Sequence, residues 1–173
     1  LDRPDRLVFD LDPDPAVPWN AVVRAAQRVR GILAGQGLTS FVKTTGGKGL
    51  HVVTPVQRRR GWPEAKQFCR GVAQAMVAES PQHYTATSSK AARGGKIFID
   101  YLRNDRGATS VAAFSTRARR GAPVSVPLSW DELDAGLRSD HYTVANLSSR
   151  LDALEADPWE GFGGLRQTIP ALS

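Results

Sequence analysis

The sequence predicts an α/β fold of the α+β kind, a largely antiparallel sheet flanked by helices, and three observations carry that reading. Short apolar segments with strand periodicity recur at residues 7–12, 41–44, 50–54 and 97–101. Two longer segments, residues 19–34 and 63–80, repeat their apolar positions at helical spacing. Glycine-rich and turn-forming stretches join neighbouring strands closely enough for hairpins.

Residues 7–12 alternate, placing Leu7, Phe9 and Leu11 on one face and Val8, Asp10 and Asp12 on the other. Prolines at 13, 15 and 18 close this strand. The next segment carries Val22, Ala26, Val29 and Leu33 on a helical stripe, with Gly35 and Gly37 placed to stop it. Phe41-Val42-Lys43-Thr44 and Leu50-His51-Val52-Val53-Thr54 read as two strands joined through Thr45-Gly46-Gly47-Lys48-Gly49. Pro63 opens a second helix whose buried stripe is Ala65, Phe68, Cys69, Val72 and Met76. Residues 81–95 read as a loop. A strand at 97–101 follows, and the turn signal Asn104-Asp105-Arg106-Gly107 predicts a second hairpin returning through residues 108–114. Ser129-Trp130-Asp131-Glu132 fits a capping box for a short helix, and Val144, Leu147, Leu151 and Leu154 give a last helix an apolar stripe. The tail after Asp157 reads as irregular.

Composition narrows the function classes. With 41% hydrophobic and 23% charged residues in 173, the chain is in the globular range and can bury one sizeable core. No apolar run approaches the roughly 18 residues that span a bilayer, so the expectation is a soluble, cytoplasmic protein without a membrane partner. The single cysteine, Cys69, falls on the apolar stripe and reads as a core residue. Net charge is +6, with basic runs at Arg58-Arg59-Arg60 and Arg117, Arg119 and Arg120, so a polyanionic partner is expected, although either run also fits a solvated loop.

The chemistry-bearing residues fall in three places. Asp10 and Asp12 project from one side of a strand, as hard divalent cations require of oxygen ligands, although an isolated Asp-x-Asp also serves to cap the helix that follows. Asp100 interrupts the apolar run Ile97-Phe98-Ile99, and a charge in such a strand needs a partner or an ion. Three such carboxylates favour metal binding over capping. The stretch Thr44–His51 combines backbone N–H groups, hydroxyls, an ammonium and an imidazole, the chemistry of a phosphate cradle, though a tight turn alone also explains its glycines. It is not a Walker A loop, because the Gly-Lys-Ser/Thr order is missing. Lys90, Arg93 and Lys96 precede the Asp100 strand; Arg117 and Arg119, at i and i+2 in extended chain, are spaced to grip a triphosphate.

Together, Leu7-Val8-Phe9-Asp10-Leu11-Asp12-Pro13, the Thr44 to His51 stretch and Ile97-Phe98-Ile99-Asp100 resemble the polymerase domain of bacterial ATP-dependent DNA ligase D, in the archaeo-eukaryotic primase superfamily. The resemblance continues through Ser115-Thr116-Arg117-Ala118-Arg119 and Trp130-Asp131-Glu132-Leu133. It implies a primase-type catalytic core in which Asp10, Asp12 and Asp100 bind two Mn2+ or Mg2+ ions. It implies that Lys48, His51 and the Thr45 hydroxyl, where the family usually has serine, contact the triphosphate. Arg93, Arg117 and Arg119 fall on family positions that contact the nucleotide or stabilise the site.

The activity implied is a DNA repair polymerase that adds nucleoside triphosphates, ribonucleotides in preference, to DNA 3′ ends during non-homologous end joining. Its partners would be DNA ends with primer and template strands, Ku and a DNA ligase domain or chain, in the nucleoid-associated bacterial cytoplasm. The chain reads as one catalytic domain over residues 1–173 that lacks the family's N-terminal portion, where the DNA 5′-phosphate pocket lies. Two other readings stand beside this one. A haloacid-dehalogenase-like phosphatase also opens on a strand ending in Asp-x-Asp, with Asp10 as nucleophile, but leaves the Lys48–His51 hairpin without a role. A non-catalytic basic nucleic-acid-binding module leaves the carboxylates without one.

Overall fold

The alternation of residues 7–12 is realised as strand β1 (Arg6–Pro13) in a computed structural model that describes residues 2–134 and 136–171. Helix α1 (Trp19–Gly35) follows, then the hairpin of β2 (Phe41–Thr44) and β3 (Leu50–Pro55), then helix α2 (Trp62–Glu79). The loop expected at 81–95 contains a short strand, β4 (Tyr84–Thr85), and a 3-10 turn at Lys90–Arg93. Strand β5 (Ile97–Asp100), a short β6 (Pro127–Leu128) and helix α3 (Leu147–Asp152) complete the elements.

The sheet has six strands in the order β4-β5-β1-β3-β2-β6, antiparallel except where β4 meets β5. Period-two geometry divides β1. Leu7, Phe9 and Leu11 are fully buried and join Leu50, Val52, Ile97 and Ile99 in one core with the apolar stripes of α1 (Val22, Val29, Leu33) and α2 (Phe68, Val72, Met76). Each such buried side chain contributes about 1.5–3 kcal/mol of transfer free energy. Cys69 lies in this core, fully buried, and burial raises its thiol well above the ordinary range, as its place on the stripe predicts. The opposite face carries Asp10 and Asp12.

The helix-capping role open to the Asp-x-Asp pair is not realised. α1 begins at Pro18 without a side-chain cap, and Asp14 Oδ1 instead accepts the Ala16 N–H at 2.9 Å in a local turn. At α2, Glu64 accepts the Gly61 N–H at 2.8 Å, with Pro63 in the first turn.

Two expectations need correction. Residues 108–114 do not pair with β5, because β1 occupies one edge of that strand and β4 the other. The Asn104 turn folds back onto β1 instead: Asn104 Oδ1 accepts the Val8 N–H at 2.8 Å and its Nδ2 donates to the Val8 carbonyl at 2.7 Å, replacing the strand neighbour that β1 lacks there. The final helix is six residues long and has no buried apolar stripe; Val144 and Leu151 are exposed. Arg150 anchors it, pairing with Glu132 at 2.5 Å and lying over the Tyr142 ring. The tail after Asp157 lacks long elements, as expected, yet it is packed. Trp159 and Phe162 stack on each other beside Phe41, and the Trp159 indole donates to the Val42 carbonyl at 2.9 Å. No described helix is long and apolar enough to cross a membrane.

Candidate active site

Antiparallel register assembles the site. Asp10 lies directly opposite Asp100 on one side and His51 on the other, and His51 lies opposite Lys43. Residues opposed in this way share a face, with Cβ atoms roughly 4.5–5.5 Å apart. Four adjacent strands therefore place Asp100, Asp10, His51 and Lys43 in one row across the sheet. Asp12, two residues along β1, shares their face.

Above this row is a cleft of about 590 Å³ whose lining includes Asp10, Asp12, His51, Lys48, Arg117 and Arg119. Thr45 and Arg103 line it too, whereas Asp100 and Arg93 do not. Asp100 is 7% exposed, with Arg103 against it. Arg93 reaches the site through Asp12, donating to Oδ2 at 2.8 Å while its guanidinium lies 4.1 Å from the Phe98 ring centroid.

The turn between β2 and β3 brings its cations close. Gly46 has φ +64°, and a Cβ there would stand 2.9 Å from Arg117 Cγ, so this position requires glycine for both conformation and space. Arg117 Nη1 donates to the Thr45 carbonyl at 3.2 Å. Arg117 and Arg119 are not in extended chain. The Arg119 N–H bonds the Arg117 carbonyl two residues back, and this tight bend still leaves both side chains in the cleft. The Thr45 hydroxyl is buried and committed to the turn: it donates to the Gly49 carbonyl at 3.1 Å and accepts the Gly47 N–H at 3.2 Å. Lys48 is exposed on the rim.

Charge balance ties the row together. Burial opposes ionisation of Asp10, but contact with His51 and the positive charges of Arg103 and Lys43 outweigh it and hold its carboxyl below the usual value. Burial dominates at His51, pushing the imidazole below its ordinary value although Asp10 Oδ2 is 3.4 Å from Nε2. A neutral His51 donating from Nε2 towards Asp10 reconciles the two shifts, and its buried Nδ1 has no partner among the described residues. Asp100 is raised, by burial first and by Asp10 in part, against the pull of the Leu102 N–H and Arg103.

Two members of the site were not singled out from sequence. Arg103 Nε lies 3.2 Å from Asp100 Oδ2 and 3.5 Å from Asp10 Oδ2, spanning both carboxylates. Lys43 is 4% exposed, donating to Ser125 Oγ at 2.7 Å and the Val111 carbonyl at 2.8 Å. Its signal was present, a lone charge inside an apolar strand like Asp100. Arg103 had none, since its pairing with Asp100 depends on the turn that was read as a hairpin.

Burial lowers the Lys43 ammonium to about 7, with Asp10 opposing and Arg117 assisting the shift. An unfolded lysine stays protonated to about pH 10.4, so between these values the unfolded chain binds the extra proton and folding stability rises with pH. Below about 7 the cost of the buried charge is fully present. Urea unfolding of wild type and Lys43→Met at pH 6.5, 8 and 9.5 checks this: the upward slope is expected in wild type and absent in the variant.

The donor set suits hard divalent cations, being carboxylate oxygens on one face with two of them shared by a single cation. Those oxygens are engaged by Arg93 and Arg103, and no group of three His, Cys, Asp or Glu side chains is preassembled around a common point among the described residues.

The family described as LigD, primase-polymerase domain, matches residues 1–159. The chain belongs to this family. It is 48% identical over 172 residues to the multifunctional non-homologous end joining protein LigD of Pseudomonas aeruginosa, covering 99% of this chain and 20% of that protein. It is 29% identical over 150 residues to the bifunctional LigD of Bacillus subtilis, covering 86% and 24%. The polymerase domain of Mycobacterium tuberculosis Ligase D, solved in complex with DNA, superposes with a TM-score of 0.87 at 34% identity, over 94% of this chain and 56% of that one. The chain thus spans about a fifth of the first of these LigD proteins and just over half of the solved domain. The primase-type fold expected from sequence is the fold the LigD domain has.

Proposed function

We propose that this chain is a metal-dependent nucleotidyltransferase that adds nucleotides, ribonucleotides in preference, to a DNA 3′ end in non-homologous end joining. The observation that carries this reading is the shared face of Asp100, Asp10 and His51 beneath a cleft whose other wall is cationic. Its partners, on this reading, are DNA ends with primer and template, nucleoside triphosphates, Ku and a ligase domain or chain, in the bacterial cytoplasm. Membership of the LigD family and the DNA bound to the solved relative support the choice of nucleic acid over other phosphorylated substrates.

Asp10, Asp12 and Asp100 would hold two divalent ions, Mn2+ in preference to Mg2+. When bound, such ions supply Lewis acidity that activates a primer 3′-hydroxyl and neutralise charge as pyrophosphate leaves. The chain's own residues do the rest. Arg117, Arg119 and Lys48 bind the triphosphate oxygens from the cleft wall, the arginines as planar forks and the lysine as a mobile point charge. His51, locked by burial between Asp10 and Lys43, orients the Asp10 carboxylate. Thr45 contributes through the turn it staples, and Arg93 holds Asp12 against the sheet.

Extension of a primed DNA by this chain tests the reading. Incorporation is expected with Mn2+, more with ribonucleotides than deoxynucleotides, and none in EDTA. Arg117→Ala with Arg119→Ala is expected to raise the nucleotide KM by roughly tenfold or more. Incorporation that persists in EDTA, or a KM unmoved by the double variant, contradicts it.

A further inference from the structure

We infer that Arg103 is a resident counter-cation that competes with the divalent ion for the Asp10 and Asp100 carboxylates and must leave them when the ion binds. The inference rests on the metal-binding reading above. Its basis is geometric: one guanidinium nitrogen, Nε, stands 3.2 Å from Asp100 Oδ2 and 3.5 Å from Asp10 Oδ2, on two residues that face each other across β1 and β5.

A guanidinium and a metal ion cannot share the space between the same two oxygens, since metal–oxygen bonds of roughly 2.0–2.6 Å require the ligands to close on the ion. The alternative partners of these carboxylates are few. The Leu102 N–H donates to Asp100 Oδ1 at 2.9 Å, leaving Oδ2 for Arg103, and His51 contacts the same Asp10 Oδ2. Arg103 is held loosely enough to move. Its side chain is 39% exposed, and among the described residues its one further hydrogen bond is from Nη1 to the Thr109 carbonyl at 3.2 Å. Thr109 lines the same cleft, so displacement leaves the guanidinium anchored at the cleft wall, within reach of an anionic substrate. Without metal, Arg103 neutralises two opposed carboxylates; with metal, its charge becomes available to the nucleotide. Metal and nucleotide binding are coupled through one side chain, which the metal frees and the nucleotide engages.

Mn2+ alone is the probe, with free Mn2+ read by its electron paramagnetic resonance signal in the absence of nucleotide. Arg103→Gln is expected to bind Mn2+ roughly tenfold tighter than wild type, because the competing charge is gone. Arg103→Lys keeps the charge and is expected within about twofold of wild type. Thermal melts give a second readout: Arg103→Gln melts lower than wild type in EDTA and gains more on addition of Mn2+. Weaker or unchanged Mn2+ affinity in Arg103→Gln overturns the inference, as does an Arg103→Lys that binds as tightly as Arg103→Gln. Asp10→Asn with Asp100→Asn separates the two claims. If that double variant loses Mn2+ while Arg103→Gln equals wild type, only the role of Arg103 falls. If wild type and Arg103→Gln both fail to bind Mn2+, the metal reading and the inference fall together.

Discussion

Asp10→Asn, measured as nucleotide incorporation on a primed DNA in Mn2+, is expected to lower the rate roughly a thousandfold, about 4 kcal/mol of barrier, the scale of a lost metal ligand. Asp100→Asn is expected to match it, and the two together should cost little more than either alone, because they serve one ion. Stability should move little. Asp10 is a neighbour of Asp100 and helps push that carboxyl upward, so removing its charge relieves a repulsion while it loses contacts to Arg103 and His51. Activity within about tenfold of wild type in both single variants would show that the row does not hold the reacting ion.

Gly49→Ala is expected to cost about 3 kcal/mol or more of folding stability, measured by urea unfolding. A Cβ at Gly49 would stand 1.8 Å from the Leu11 carbonyl oxygen and 3.0 Å from its carbon, backbone atoms of the neighbouring strand that cannot swing aside. Relief requires β1 and β3 to separate where Leu11 faces Leu50, one residue from the pairing of Asp10 with His51. The same substitution therefore damages fold and site, and incorporation should fall even in the folded fraction. Gly31→Ala is the control. That glycine is an exposed helical position with nothing within 4 Å of a new Cβ, and alanine should raise stability by about 1 kcal/mol. Equal unfolding midpoints for the two variants would contradict the close approach of β1 and β3.

The contrast between these glycines marks how far the sequence could be read. The strands at 7–12, 41–44 and 50–54 and both long helices were legible because each carries its own periodicity. So was the shared side of Asp10 and Asp12, which period two dictates. Pairing was not legible. Nothing local says that β5 is enclosed by β1 and β4, and with those edges taken the expected hairpin at 108–114 had no partner. Asn104 looked like a turn residue and is one, but its amide also substitutes for a strand against Val8. The last helix departs too: Val144, Leu147, Leu151 and Leu154 have helical spacing, yet Val144 and Leu151 are exposed, and an ion pair from Arg150 to Glu132 holds the segment.

At the site, Asp10, Asp12, Asp100 and His51 stood out in the sequence, and register sets their relations. Arg117 and Arg119 were singled out for an extended spacing they do not have, and a bend delivers them to the cleft all the same. Thr45 was expected to contact a triphosphate; it lines the cleft, with its hydroxyl bonded to Gly49 and Gly47. Lys43 repeats the Asp100 signal, a charge buried in an apolar strand, and belongs to the same row. Arg103 could be recognised only once the turn after β5 was seen to curl back over the carboxylates.

The most direct test of the central claim is the anomalous scattering of Mn2+ in a crystal of this chain grown with Mn2+ and a non-hydrolysable nucleoside triphosphate. A peak is expected with carboxylate oxygens of Asp10 and Asp100 within about 2.0–2.6 Å and the triphosphate against Arg117 and Arg119. A bound nucleotide with no Mn2+ peak within about 8 Å of Asp10, several times a metal–oxygen bond, would contradict it.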